Sequence, residues 1–171
     1  MPHLAAHLVE HSPTIGLYRS FTQPDEAVTS KVYAEPLLAT LEEIYKSAFW
    51  RSKARFAELR RQLRTTLALK CNWDTYGAEP PNEVARALAG KILDALETDL
   101  LLPTRLMASA EGGIAISFVE EDKRAEIEIY NTGEIAVATY HAHREPEAWE
   151  SSDADSALKN AIIKIRVHLT A

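Results

Sequence analysis

His3, His7 and His11 stand four residues apart, so a helix through them would align three imidazoles on one face, where neutral histidines can share a metal ion. They lie in a terminus broken by Pro and Ser, with Glu10 as the only nearby acid, which predicts an accidental or weak site and no resident metal. His141 and His143 would share one face of a strand, but "YHAHRE" offers no third ligand at a usual spacing. Asp74 and Tyr76 are the remaining pair suited to proton transfer, a carboxylate as base and a phenol as acid. They sit in "CNWDTYGAEPPNEVARA", Cys71 to Ala87, and a lone Asp without a matched base or ligand set is thin support for catalysis. Cys71 itself reads as a small apolar residue rather than a nucleophile. The chain has no Walker loop, no Gly-x-Ser-x-Gly, no cysteine pair and no dinucleotide fingerprint, so no cofactor and no catalytic residue is expected.

The elements that must position these residues are easier to read. Residues 1–34 mix prolines, a glycine and Ser/Thr into every periodic run and predict an irregular arm, with a short helix at Leu4 to Glu10. Residues 35–171 then form a single domain. A long helix is predicted over 36–70, with Pro36 at its first position. Leu37, Leu41, Ile44, Ala48, Ser52, Phe56, Leu59, Leu63 and Leu67 recur in steps of three and four, the period of a helix with one apolar face. Such a helix is roughly 50 Å long, more than one small domain can cover. Ser52 on the apolar face is the place to expect a kink.

A second helix is predicted after Pro80 and Pro81, with Asn82 as N-cap and Val84, Leu88, Ile92 and Leu96 as its stripe. Pro103 ends that region, and the period then changes to two. "TRLMASA", "GGIAISFVEE", "KRAEIEIYNTG" and "EIAVATYHAH" predict four strands, with turns at Gly112-Gly113, Asp122-Lys123 and Asn131-Thr132-Gly133. A last helix carries Leu158, Ile162, Ile165 and Leu169, capped by Ser151, Ser152 or Asp153. The predicted class is α+β: helices on one face of a four-stranded antiparallel meander.

Trp73, Asp74, Tyr76, Gly77 and Pro80 therefore fall in a connection of about ten residues between two helices. As a structural joint, Gly77 supplies a positive φ, Asp74 accepts backbone N–H bonds, Trp73 and Tyr76 seal the end of the helical layer, and the two prolines force an extended entry into the next helix.

The segment "NWDTYGAEPPNEVARAL", followed by "EGGIAISF" and a meander, resembles a family of small bacterial and prophage proteins marked by Trp-Asp-x-Tyr-Gly-Ala-x-Pro. The resemblance covers about Asn72 to Thr170 and departs at Thr75, where the family pattern has Gly. It carries no catalytic residue. It implies a mobile or phage-like genetic context, in which small acidic proteins serve as inhibitors or antitoxins.

The chain of 171 residues has a net charge of −6, 46% hydrophobic and 26% charged residues. That is the composition of a globular domain, and the acidic balance argues against indiscriminate nucleic-acid binding. A single cysteine fits a reducing, cytoplasmic setting, and no apolar run approaches a membrane span. Charge is nonetheless polarised. Eight basic residues from Lys46 to Lys70 face Glu58 alone, whereas Glu111 to Asp155 is strongly acidic. Lys46, Lys53, Arg60 and Arg64 fall in one band beside the apolar stripe, and Trp50, Ala54, Ala57 and Arg61 form a second line on the back of the helix. These eight are the expected partner-binding residues, for a protein partner or a second copy joined through the long helix. The leading expectation is a non-enzymatic protein-binding module. The alternatives are a nucleic-acid-contacting protein using the basic band, and an enzyme around Asp74 and Tyr76.

Overall fold

A computed structural model describes residues 26–142 and 144–171, the side chains of 26–37 and 39 apart. The chain divides into two units, Met1–Glu42 and Glu43–Ala171. Of the first, the described part is the opening of helix α1, Glu26–Thr65. The helix begins ten residues before Pro36, so the arm predicted over 1–34 gives way to helix at Glu26. Pro36 lies inside α1, where it removes the hydrogen bond to the carbonyl four residues back. No break occurs at Ser52. A short 3₁₀ turn, Thr66–Ala68, ends the helical run earlier than Lys70.

The second unit contains the core. Helix α2 spans Glu83–Thr98 and starts as read: the Asn82 side chain accepts from the Ala85 N–H. Five strands follow: β1 Arg105–Ser109, β2 Gly113–Glu120, β3 Lys123–Tyr130, β4 Ile135–His141 and β5 Glu147–Ser151. Helix α3, Asp155–Thr170, closes the chain. The sheet is an antiparallel meander in the order β1-β2-β3-β4-β5. The four predicted strands are thus joined by a fifth. β5 escapes sequence reading because Glu147-Ala-Trp-Glu-Ser offers one large apolar residue, Trp149, which pairs with Val137 on the inward face. The capping expected of Ser151, Ser152 or Asp153 fails for the same reason: Ser151 is still strand, and Ala154 occupies the N-cap without a side-chain bond.

Alternation decides which face is buried. Ile114, Ile116 and Phe118 of β2, Ala125, Ile127 and Ile129 of β3, and Ile135 and Val137 of β4 point to the helices and are almost fully buried. They meet Ile92, Leu93 and Leu96 of α2, Leu158, Ile162 and Ile165 of α3, and Phe56 and Leu59 of α1 in one cluster. Each fully buried Ile or Leu contributes about 1.5–3 kcal/mol. The opposite face carries Ala115, Ser117, Glu126, Glu128, Ala136 and Ala138. The first turn is tight. At Gly113, with φ of 144°, an added Cβ would sit 2.0 Å from the Ile129 carbonyl oxygen. No helix among the described residues is long and apolar enough to cross a membrane.

Candidate functional site

The segment between α1 and α2 is held chiefly by side chains bonded to its own backbone. The Asp74 carboxylate accepts from the N–H groups of Tyr76 at 2.9 Å and Ala78 at 3.0 Å. Those two bonds hold its carboxyl below the ordinary Asp value. A carboxylate so engaged is a weak base and a strong turn former. Asn72 Oδ1 accepts from Gly77 N, and the Asn72 N–H donates to the Ala78 carbonyl. Gly77 has φ of 97°, as the reversal requires. Trp73 is half-buried and donates from Nε1 to the Glu79 carbonyl. Tyr76 departs from the expected seal: it is 93% exposed. The buried positions of this stretch are Ala78 and Pro81.

The decisive partner of the joint is Asn131, in the β3–β4 turn. Its Oδ1 accepts from Asn82 N at 2.8 Å, its Nδ2 donates to the Pro80 carbonyl at 3.1 Å, and its carbonyl accepts from Asn82 Nδ2. Three bonds therefore fasten the entry of α2 to the sheet. A cleft of about 440 Å³ lies beside them, lined by Tyr76, Glu79, Glu111, Tyr130 and Glu134, among others. Asp74 is not part of its wall, so Asp74 and Tyr76 do not converge on one pocket. Tyr130 is pushed above the ordinary phenol value by burial and by Glu128.

Two members of the basic band turn inward to α2. Lys53 Nζ lies 2.7 Å from Glu97, and Arg60 reaches both Glu97 and Asp94 at 2.6 Å. Lys53, then Arg60, holds the Glu97 carboxyl below the usual range, and the bond from Arg60 to Asp94 raises the guanidinium further. Asp94 and Glu97 are neighbours at i, i+3 on α2, which was the available signal for this clamp. Lys46 pairs at 3.9 Å with Glu43, and Arg61 at 2.8 Å with Glu58. Arg64 is exposed. His3, His7, His11 and His143 lie outside the described residues. Among the described residues no group of three or more His, Cys, Asp or Glu is placed to hold a metal ion.

The apolar stripe of α1 divides within the second unit. Phe56 and Leu59 are fully buried, and Leu63 is half-buried. One to three turns earlier, Ile44 is 56% exposed, Tyr45 69% and Trp50 67%. Phe49 packs edge-to-face on Trp50 with ring centres 5.6 Å apart, and Lys53 Nζ sits 5.7 Å from the Phe49 ring centre. Ala54 and Ala57 are exposed as well, so the line Trp50-Ala54-Ala57-Arg61 is uncovered among the described residues. In the first unit, Leu38 and Leu41 are also exposed. The chain matches no protein-family model, no curated protein and no solved structure.

Proposed function

We propose that the chain is a non-enzymatic protein-binding module whose contact surface is α1 around Ile44, Tyr45, Phe49 and Trp50. The observation that carries this reading is the exposure of four large apolar side chains within seven residues of one helix. Isolated exposed apolar residues are ordinary, but Phe49 and Trp50 touch edge-to-face and Tyr45 lies one turn before Phe49, so three of the four form a patch of the kind that marks a binding surface. The charges beside it are paired within the chain, Lys46 with Glu43, Lys53 with Glu97 and Arg61 with Glu58, so the surface favours a partner with an apolar centre and no strong net charge. A second copy of the chain, joined through the same helix, is the first partner to test. The inhibitor or antitoxin role implied by the family resemblance is one use of such a surface and rests on that resemblance alone.

Ile44→Glu/Phe49→Glu tests the reading, since both side chains are outside the core and folding should survive. Light scattering of wild type should show a dimer, or a stable complex with a protein recovered from the native source, and the double variant should be a monomer without that protein. A wild type that is monomeric and holds no protein partner refutes the proposal.

A further inference from the structure

A cavity of about 520 Å³ lies between the ends of β3 and β4, β5 and α3, away from α1. Its charge is unusual for this part of the molecule. From Glu111 to Asp155 the sequence has twelve acids and only three basic residues, Lys123, Arg144 and Arg124. Two of those three line the cavity, and α3 adds Lys164 and His168 while β4 adds His141. The antiparallel register explains the convergence: Lys123 opens β3 directly opposite His141 at the close of β4.

Lys164 and the two histidines are held in place. Lys164 Nζ lies 4.8 Å from the centre of the Trp149 ring, which holds the ammonium at the wall. His168 Nε2 lies 3.0 Å from the Tyr140 carbonyl oxygen, so it donates there and leaves Nδ1 for another partner. His141 Nε2 faces Asp122 Oδ2 at 3.5 Å, and its Nδ1 is buried with no hydrogen-bond partner among the described residues. A buried ring nitrogen without a partner is rare in a folded protein and calls for a ligand or water. Ile163 and Val167, both exposed on α3, supply an apolar wall. Glu145 and Glu147 oppose the cations, but both are exposed to solvent, which screens them.

We propose that this cavity binds a small phosphate monoester with an apolar body. The volume suits a small molecule, the apolar wall takes its body, and three charged groups with two imidazoles surround its head. A tetrahedral dianion uses donors arriving from several elements better than a flat monoanionic carboxylate does. Lys123, Arg144 and Lys164 contact the phosphoryl oxygens, and His141 and His168 line the wall beside them. The cations are partly solvated, so the affinity is modest, about 1 mM or tighter.

The test is a titration of isotope-labelled protein with phenyl phosphate, reading the Trp149 indole and the His141 and His168 ring signals by NMR. Phenol, benzoate and inorganic phosphate serve as separate arms. Saturable shifts confined to this cavity are expected, with phenol and benzoate each about tenfold weaker and inorganic phosphate weaker than the ester. Lys164→Ala and Arg144→Ala, both at exposed positions, should each weaken phenyl phosphate about tenfold with unchanged melting. No saturable shift, equal binding of phenol, or full affinity in both folded variants overturns the proposal. Equal binding of benzoate overturns the phosphate assignment. The light-scattering result on α1 has no bearing on this titration, so the two readings fail separately.

Discussion

Thr75 is exposed in the joint and adopts φ of 71°, in the left-handed region. That conformation costs an ordinary L-residue about 1–2 kcal/mol, and a β-branched residue is an outlier there. The turn keeps it so. The Thr75 N–H donates to the Asn72 carbonyl at 3.1 Å, and Asp74 fixes the two N–H groups on either side of Gly77. Thr75→Gly removes the steric cost and touches no buried contact. Glycine's greater freedom in the unfolded chain returns roughly 0.5–1 kcal/mol of that gain. The net expectation is a stabilisation of about 0.5–1 kcal/mol, or a rise in melting temperature of about 2–4 °C for a domain of this size. Differential scanning calorimetry with urea melts at neutral pH reads it. Thr75→Asn should fall between the two, since Asn tolerates positive φ better than Thr. A lower melting temperature for Thr75→Gly would refute the strained-turn argument.

Gly113→Ala should be severe, about 3 kcal/mol or more, because its Cβ would meet the Ile129 carbonyl oxygen at 2.0 Å and only backbone movement in β2 or β3 relieves it; urea unfolding of the variant checks this. Asp74→Asn should flatten the acid limb of stability. Folding lowers the Asp74 carboxyl, so its contribution is present above the unfolded value of about 3.9 and is lost as pH falls through the lower folded value. Urea midpoints of wild type and variant should therefore converge as pH falls below about 3.9, and a constant gap would count against the backbone bonds to Asp74.

Periodicity alone made most of the fold legible. The switch from steps of three and four to steps of two at Thr104 separates the helices from the sheet, and Asn82 marks the start of α2 by its chemistry. β5 was hidden because an edge strand buries one side chain, Trp149, and alternation over a single residue is no pattern. The start of α1 was hidden because Pro36 is a strong stop in local terms and only extended helix on both sides overrides it. At the joint, the roles of Asp74 and Gly77 follow from turn chemistry. The clamp by Asn131 does not, since it depends on the β3–β4 turn arriving 49 residues later in the chain. The exposure of Tyr76 was equally illegible: residue type gives the need for a partner at the hydroxyl, not which way the turn points the ring.

The basic band of α1 illustrates why composition misleads about nucleic acid. Affinity for phosphate comes from releasing counterions, and a cation already neutralised by a carboxylate has few to release. Lys53 and Arg60 are both committed to Glu97, with Arg60 bound also to Asp94, and Glu97 is only 17% exposed. Turning both toward a duplex would strand a largely buried carboxylate, a cost that a phosphate contact at 0.15 M salt does not offset. The same pairs bear on the proposed protein-binding surface. Lys53 fastens α1 to α2 one turn beyond Phe49 and Arg60 about three turns beyond, so on the proposed reading the exposed apolar side chains are presented on a fixed helix, and less conformational entropy would be lost when a partner covers them. A charge band that looks like a phosphate track in the sequence thus supports the apolar surface beside it.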